Sequence, residues 1–210
     1  MNGNELNYQI SRCLDIFTEH ADELGDLDQA LGDGDLGITV SLGAKATQEA
    51  LAQLPEATTP TEVVLACAKA FANANPSTMA ALVAGALLAG SRVWGDTETI
   101  DSKMISAFAL AAAGSISQRG KSQVGDKTIL DAMYPAAEAL QDSPEGEGLD
   151  AAIEAAQRGV TSSKELQSQR GRASWLQERS IGLQDPGATA FLRFLQSWKA
   201  ANSASSVGSV

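Results

Sequence analysis

Histidine occurs once in the 210 residues and cysteine only twice. A Ser-His-Asp triad, a zinc site built on histidines and a phosphohistidine relay would each have to use His20. That residue stands in "TEHADEL", among charged neighbours on a predicted helix, where a surface role accounts for it. Those three classes are set aside. Cys13 and Cys67 fall inside apolar helical patterns and read as reduced thiols of a cytoplasmic chain, with a structural disulfide as the alternative. Positive charge is also scarce: 15 Lys and Arg against 26 Asp and Glu leave a net charge of −11. A nucleic-acid face needs a basic stripe, and an anionic membrane surface attracts one, so neither partner fits. No apolar run reaches 18 residues, and "MNGNELNYQI" lacks the basic start and apolar segment of an export signal.

Strand signals are missing too, because no stretch of alternating β-branched residues is long enough. Helical periodicity takes their place. Leu6, Ile10, Leu14, Phe17 and Leu24 recur at three-to-four spacing, predicting a helix near 4–24. Further helices are predicted at 36–52, 61–73, 77–94, 100–118, 128–141, 148–166 and 187–201. Turn-rich stretches such as "LPEATTP", "NANPST" and "DSPEGEG" separate them. The expected fold is all-α, a single domain over 1–201 built as a barrel or bundle of about eight antiparallel amphipathic helices. The small, polar tail at 202–210 is expected to be disordered. One connection is unusually long: 167–186, "QSQRGRASWLQERSIGLQDP", rich in Gly, Ser and Arg and carrying Trp175. Lying between two strong helices, it reads as a lid.

The stretch with most chemistry in it is "DQALGDGDLGITVS", residues 28–41. Gly32, Gly34 and Gly37 fit the G-x-G-x-x-G of a dinucleotide turn, which elsewhere lets backbone approach a pyrophosphate. No strand precedes it and no βαβ unit surrounds it, so the dinucleotide reading fails. A calcium loop fails as well, since Gly37 and Ala44 occupy positions that loop gives to other residues. Asp28, Asp33 and Asp35 could be a polar turn with a capping aspartate, but one N-cap takes only one of them. Three crowded carboxylates are costly unless a cation compensates. A hard divalent ion such as Mg²⁺ compensates them and keeps positions open for phosphate oxygens, while Gly37 and the following helix start offer N–H groups to the same phosphates.

"GSISQRGKS" imitates a P-loop ending at Gly120, Lys121 and Ser122, but Gly114 lies one residue too far back and the stretch follows a helix. It is a decoy. Three other stretches suit a nucleotide site. "NANPSTM" places Ser77 and Thr78 at the start of an Ala/Gly-rich helix, where a plain cap is the simpler reading. "VGDKTILDAM" offers Lys127 and Thr128 at another helix start, with a capped, solvated turn as the simpler reading. "GRASWLQERSIGLQDPGATA" supplies Arg172 and Arg179, then Asp-Pro-Gly with proline at a favoured first helical position.

In their order and spacing, "DQALGDGDLG", "GDKTILD" and "GRASWLQERSIGLQDPGATA" resemble the nucleotide-binding L subunit of bacterial dihydroxyacetone kinase. The resemblance implies a barrel of eight amphipathic helices, and two Mg²⁺ ions held by Asp28, Asp33 and Asp35 against the phosphates of ADP or ATP. It places Leu36, Gly37, Ile38 and Thr39 with Pro76 and Ser77 around the phosphates. Gly120, Ile129, Arg172, Asp185, Pro186 and Gly187 would hold base and ribose. It also implies a separate ketose-binding kinase subunit as partner, and a phosphotransferase-system protein as a phosphoryl donor to bound ADP. A homo-oligomer is compatible with all of this. Two departures stand out: Leu36 replaces the family's usual histidine, and "NANPSTM" replaces a glycine-rich turn.

Two functions follow. The first is phosphoryl transfer from Mg-nucleotide to a small ketose, with Asp28, Asp33 and Asp35 fixing the metals and Arg172 neutralising charge. The second is a nucleotide-binding regulatory module that has lost transfer activity, for which Leu36 is the motive. Neither has a general base for the acceptor hydroxyl on this chain, since the motif carboxylates are committed to metal.

Overall fold

Polar residues just ahead of the apolar stripes set the helix starts. Asn2 and Glu5 form a reciprocal capping box at the N-terminus, and Thr59 and Glu62 form another with Pro60 in the first turn. Ser77 and Asp101 cap in the simpler way, each accepting from a backbone N–H three residues on. The computed structural model describes residues 1–205. Among them are nine α-helices: α1 (Gly3–Thr18), α2 (Ala21–Leu31), α3 (Leu36–Leu51), α4 (Pro60–Ala74), α5 (Thr78–Trp94), α6 (Ser102–Gly120), α7 (Leu130–Asp142), α8 (Gly148–Ser163) and α9 (Pro186–Ser205). A 3-10 segment, Arg172–Ser180, kinked at Gln177 where φ is +51°, lies in the long connection before α9. The described residues include no strand, only an isolated bridge between Asn2 and Thr99.

Successive helices from α3 to α9 pack on one another, and α9 returns to α1, which also packs on α3 and α4. The ring closes into a barrel. α2 packs against α3 and α9. Because the ring helices alternate in direction, one rim collects the starts of α3, α5, α7 and α9 and the ends of α4, α6 and α8. Below that rim, Leu14, Phe17, Leu24, Leu36, Val40, Ala44 and Ala190 form one apolar cluster. The α7–α8–α9 wall is cored by alanines, including Ala132, Ala136, Ala156 and Ala188, whose small side chains let backbones approach closely. Each fully buried leucine, such as Leu24 or Leu192, contributes roughly 2 kcal/mol by leaving water.

The structure departs from the sequence reading at two places, and it agrees with the preferred reading of the two cysteines as thiols. The helix expected near 4–24 is broken at Glu19 and His20, and the Ala21 carbonyl just beyond the break lies against Gly37 of α3. α9 continues to Ser205, so residues 202–205 of the expected disordered tail are helical; 206–210 lie outside the described residues. The cysteines are not bridged. Both are buried and burial pushes both thiols up to about 12, which suppresses thiolate chemistry. No helix among the described residues is long and apolar enough to cross a membrane.

Candidate functional site

α2 runs down to Leu31, and the Gly32 N–H closes it on the Asp28 carbonyl at 2.5 Å. Gly34, at φ +75°, then turns the chain through a conformation that favours glycine. Asp35 occupies the N-cap position of α3, yet its side chain makes no capping bond. The duty passes to Asp28, whose Oδ2 accepts the Leu36 N–H at 3.2 Å. Asp35 is thereby left to join Asp28 and Asp33, and one carboxylate oxygen of each lies within 4.8 Å of the others. Asp28 is half-buried, while Asp33 and Asp35 are exposed. At such separations each like-charged pair costs about 1–3 kcal/mol, depending on how well water screens it. The Arg172 guanidinium, arriving from the 3-10 segment, ion-pairs with Asp33. Exposed hard oxygen donors in this number fit a divalent cation of the magnesium type.

The next turn supports an anion. Gly37 is required by close approach, since a Cβ there would run into the Ala21 carbonyl. The N–H groups of Gly37 and Ile38, in the first turn of α3, have no partner among the described residues and lie beside the carboxylates. Thr39 is buried, and its hydroxyl accepts from the Asn75 side chain at 3.0 Å. That bond draws the turn at Asn75–Pro76–Ser77 next to the α3 start. Ser77 itself is a plain N-cap of α5, its Oγ taking the Ala80 N–H at 3.1 Å. Leu36 points its side chain into the apolar cluster below the rim and gives the site only its N–H. Its difference from the family's histidine therefore puts no apolar group among the carboxylates.

On the far side of the rim, α9 begins at Pro186 behind Asp185. The Asp185 Oδ2 accepts the Ala188 N–H at 2.7 Å, and Gly187 lies against the Ile129 backbone and side chain. Ile129 and the Asp185–Gly187 turn thus lie side by side. Gly120 ends α6 and packs near Leu82 of α5 at the same rim, but no described contact joins it to the carboxylate cluster. Burial pushes the Asp185 carboxyl up to about 7, with Asp131 adding to the rise; the Ala188 N–H and Lys127 oppose it.

Lys127 corrects the sequence reading most sharply. It is no part of a solvated turn: it is only 2% exposed, with φ +59°. Its Nζ donates to the carbonyls of Leu166 at 3.0 Å, Ser180 at 2.6 Å and Leu183 at 2.6 Å. Burial lowers its pKa against the pull of Asp185 and Asp131. Asp131, also buried, accepts from the Gly125 and Thr128 N–H groups. Asp126 accepts from Arg170 Nε at 2.9 Å. The 167–186 segment is therefore anchored at its base, while Trp175 near its tip is 80% exposed. The segment expected as a lid thus has a fixed base rather than being loose along its whole length. His20 sits at the start of α2, its Nδ1 3.6 Å from Glu23, about 12 Å along the helix from Asp28.

A model of the DAK2 domain matches residues 30–200. The chain belongs to the DAK2 domain family. It is 35% identical over 181 residues to the ADP-binding subunit of PEP-dependent dihydroxyacetone kinase 1 of Listeria innocua, covering 84% of this chain and 87% of that one. Identity to the corresponding Escherichia coli subunit is 31% over 202 residues, covering 89% and 91%. An L-erythrulose 1-kinase of Mycolicibacterium smegmatis is 30% identical, but the match covers 86% of this chain and 32% of that longer one. The dihydroxyacetone kinase of C. freundii, solved in complex with AMP-PNP and Mg²⁺, superposes with a TM-score of 0.74 at 21% identity. That match covers 97% of this chain and 34% of the kinase, and it establishes a common fold. The DAK2 match takes in Asp33, Asp35 and Arg172, whereas Asp28 lies just before its first residue.

Proposed function

We propose that this DAK2 chain is the Mg-nucleotide-binding subunit of a kinase for dihydroxyacetone or a related small ketose. The observation that carries the reading is the convergence of Asp28, Asp33 and Asp35 in one glycine turn, with Arg172 brought to Asp33 from the far end of the sequence. Those carboxylates would hold magnesium, two ions in this reading, and the bound metal would draw charge from the phosphates. The Gly37 and Ile38 N–H groups would bind phosphate oxygens, beside Thr39 and the Pro76–Ser77 turn. Ile129, Gly187 and Asp185 would flank base and ribose, with Gly120 on the same rim. Arg172 would neutralise charge as the phosphoryl group leaves. Phosphoryl transfer needs mainly positioning and charge neutralisation, and this rim supplies both.

The ketose is held by another subunit in this reading. The three motif carboxylates are committed to metal in this reading, and His20 is two turns away. The names of the relatives support a subunit of this kind and acceptors of the dihydroxyacetone and erythrulose class. Two of them are described as PEP-dependent, which supports recharging of bound ADP by a phosphotransferase-system protein. The burial of Leu36 keeps an apolar group out of the carboxylate cluster, so the regulatory alternative rests on the missing histidine alone. The test has two arms. Calorimetry should detect ADP binding with Mg²⁺ and none with EDTA. A coupled assay with dihydroxyacetone and Mg-ATP should show turnover only when a ketose-binding subunit is added. Equal affinity in EDTA overturns the metal bridge, and turnover by the chain alone overturns the division of labour.

A further inference from the structure

We infer that Lys127 is a latch for the segment 166–183, a positioning residue that holds this lid in the conformation presenting Arg172 to the carboxylate turn. The inference deepens the nucleotide-binding reading and rests on it. Three observations carry it. The first is convergence: one ammonium donates to carbonyls on both limbs of the lid, Leu166 on the incoming limb and Ser180 and Leu183 on the outgoing one. An ammonium has three protons, and all three are used. The second is that the two limbs are further tied at the same level, the Ser168 N–H to Ser180 Oγ at 2.9 Å and the Gly182 N–H to the Lys164 carbonyl at 2.7 Å. The third is the neighbouring residue. Asp126 accepts Arg170 Nε through its carboxylate, and its carbonyl accepts the Gln169 N–H at 3.0 Å.

Two consecutive residues of the α6–α7 connection thus grip the lid at its base. The same connection ends in Ile129, which touches Gly187. The lid base, the Ile129 surface and the α9 start are therefore one mechanical unit. Arg172 and the exposed Trp175 project from it toward the α2–α3 turn and solvent. An apolar side chain of similar length would fill the same space without dehydrating a charge. What only the ammonium adds is three donors to carbonyls on two strands of chain, at a residue whose backbone is itself held at positive φ. That arrangement suits holding a loop closed.

The experiment compares the full chain with its Lys127→Met and Lys127→Arg variants by calorimetry with Mg-ADP, and by trypsin cleavage at Arg170, Arg172 and Arg179. Lys127→Met should raise the Kd about tenfold or more with binding stoichiometry unchanged, and speed lid cleavage while the rest of the barrel resists. Lys127→Arg, which keeps the charge and several donors, should recover part of both. A merely structural role would lower the fraction of competent protein and leave Kd alone. Folded Lys127→Met with wild-type cleavage, or with a Kd within twofold of wild type, overturns the latch. Should that variant not fold, amide exchange on the wild-type chain still decides. Ser168, Gln169 and Gly182 should exchange in step with 123–129, and exchange at the rate of a free loop overturns the proposal. If the wild type itself binds no Mg-ADP, the nucleotide reading fails, while cleavage and exchange still report whether the latch exists.

Discussion

The two halves of the rim use charge in opposite ways. On the α2–α3 side, three carboxylates stand at or near the surface, and only Asp28 has a backbone donor in the turn. On the α7–α9 side, Asp131, Lys127 and Asp185 are all buried, and every one of them is hydrogen-bonded to backbone. The first half is electrostatically unfinished and suited to receiving a ligand. The second is finished internally and suited to holding shape. Charge alone does not mark a binding site; what marks it is charge that the protein leaves uncompensated while keeping it in place.

The largest effect should come from the unfinished half. Asp33→Ala removes a proposed metal ligand that is exposed and makes no backbone bond, so the fold should survive, with apo stability within about 0.5 kcal/mol of wild type. Mg-ADP affinity should fall about a thousandfold, near 4 kcal/mol. Calorimetry checks the second figure and urea denaturation the first. Normal Mg-ADP binding by this variant would erase the distinction between the two halves.

A graded effect, about 1.4 kcal/mol for each pH unit, sharpens the comparison from the finished half. The folded pKa of Asp185, about 7, lies above its ordinary value of 3.8. Below 3.8 the folded and unfolded chains both hold the proton. Between the two values the folded chain keeps a proton that the unfolded chain has lost, so each step up in pH erodes stability. Above about 7 both are ionised and the cost is constant. Within that window the loss is about 1.4 kcal/mol per pH unit. Asp185→Asn keeps a capping side chain and cannot titrate. The stability difference between wild type and this variant, followed by urea denaturation from acid to neutral pH, should slope in the window and flatten above it. A flat difference throughout would mean that Asp185 ionises normally and that the second half is more solvated than its burial indicates.

The same contrast explains what could be read from the sequence. Asp28, Asp33 and Asp35 lie within eight residues of one another, so local turn chemistry and mutual repulsion were enough to mark them. Helix positions were legible for the same reason: Asn2, Thr59, Ser77 and Asp101 act on backbone only a few residues away. Lys127 was not legible. Its partners lie 39 to 56 residues on, and nothing in "GDKT" distinguishes a lysine reaching inward from one reaching into water. The break at His20 escaped for a related reason, since no proline or glycine marks it and its neighbour Ala21 meets Gly37, sixteen residues on. The residues proposed to flank base and ribose came from family resemblance, and the approach of Ile129 to Gly187 depends on packing that no local pattern encodes.

The smallest expected effect lies where the two halves meet. Arg172 belongs to the lid, and its ion pair with Asp33 is a direct charge contact between the lid and the carboxylate turn. The Arg172 side chain is 59% exposed and that of Asp33 39%, so water screens the pair and its worth to the apo fold is about 0–1 kcal/mol. Arg172→Ala should therefore shift the urea midpoint little. Its effect should appear in binding, where a guanidinium beside phosphates gains charge-assisted hydrogen bonds worth about 1.5–3 kcal/mol. That predicts a Kd for Mg-ADP about tenfold or more above wild type on an unchanged stability background. Arg172→Lys should recover only part of the loss, because a single ammonium cannot make the bidentate contact. An apo destabilisation larger than the loss of binding would reverse the assignment: Arg172 would then serve to close the lid on the barrel, and the nucleotide would be held without it.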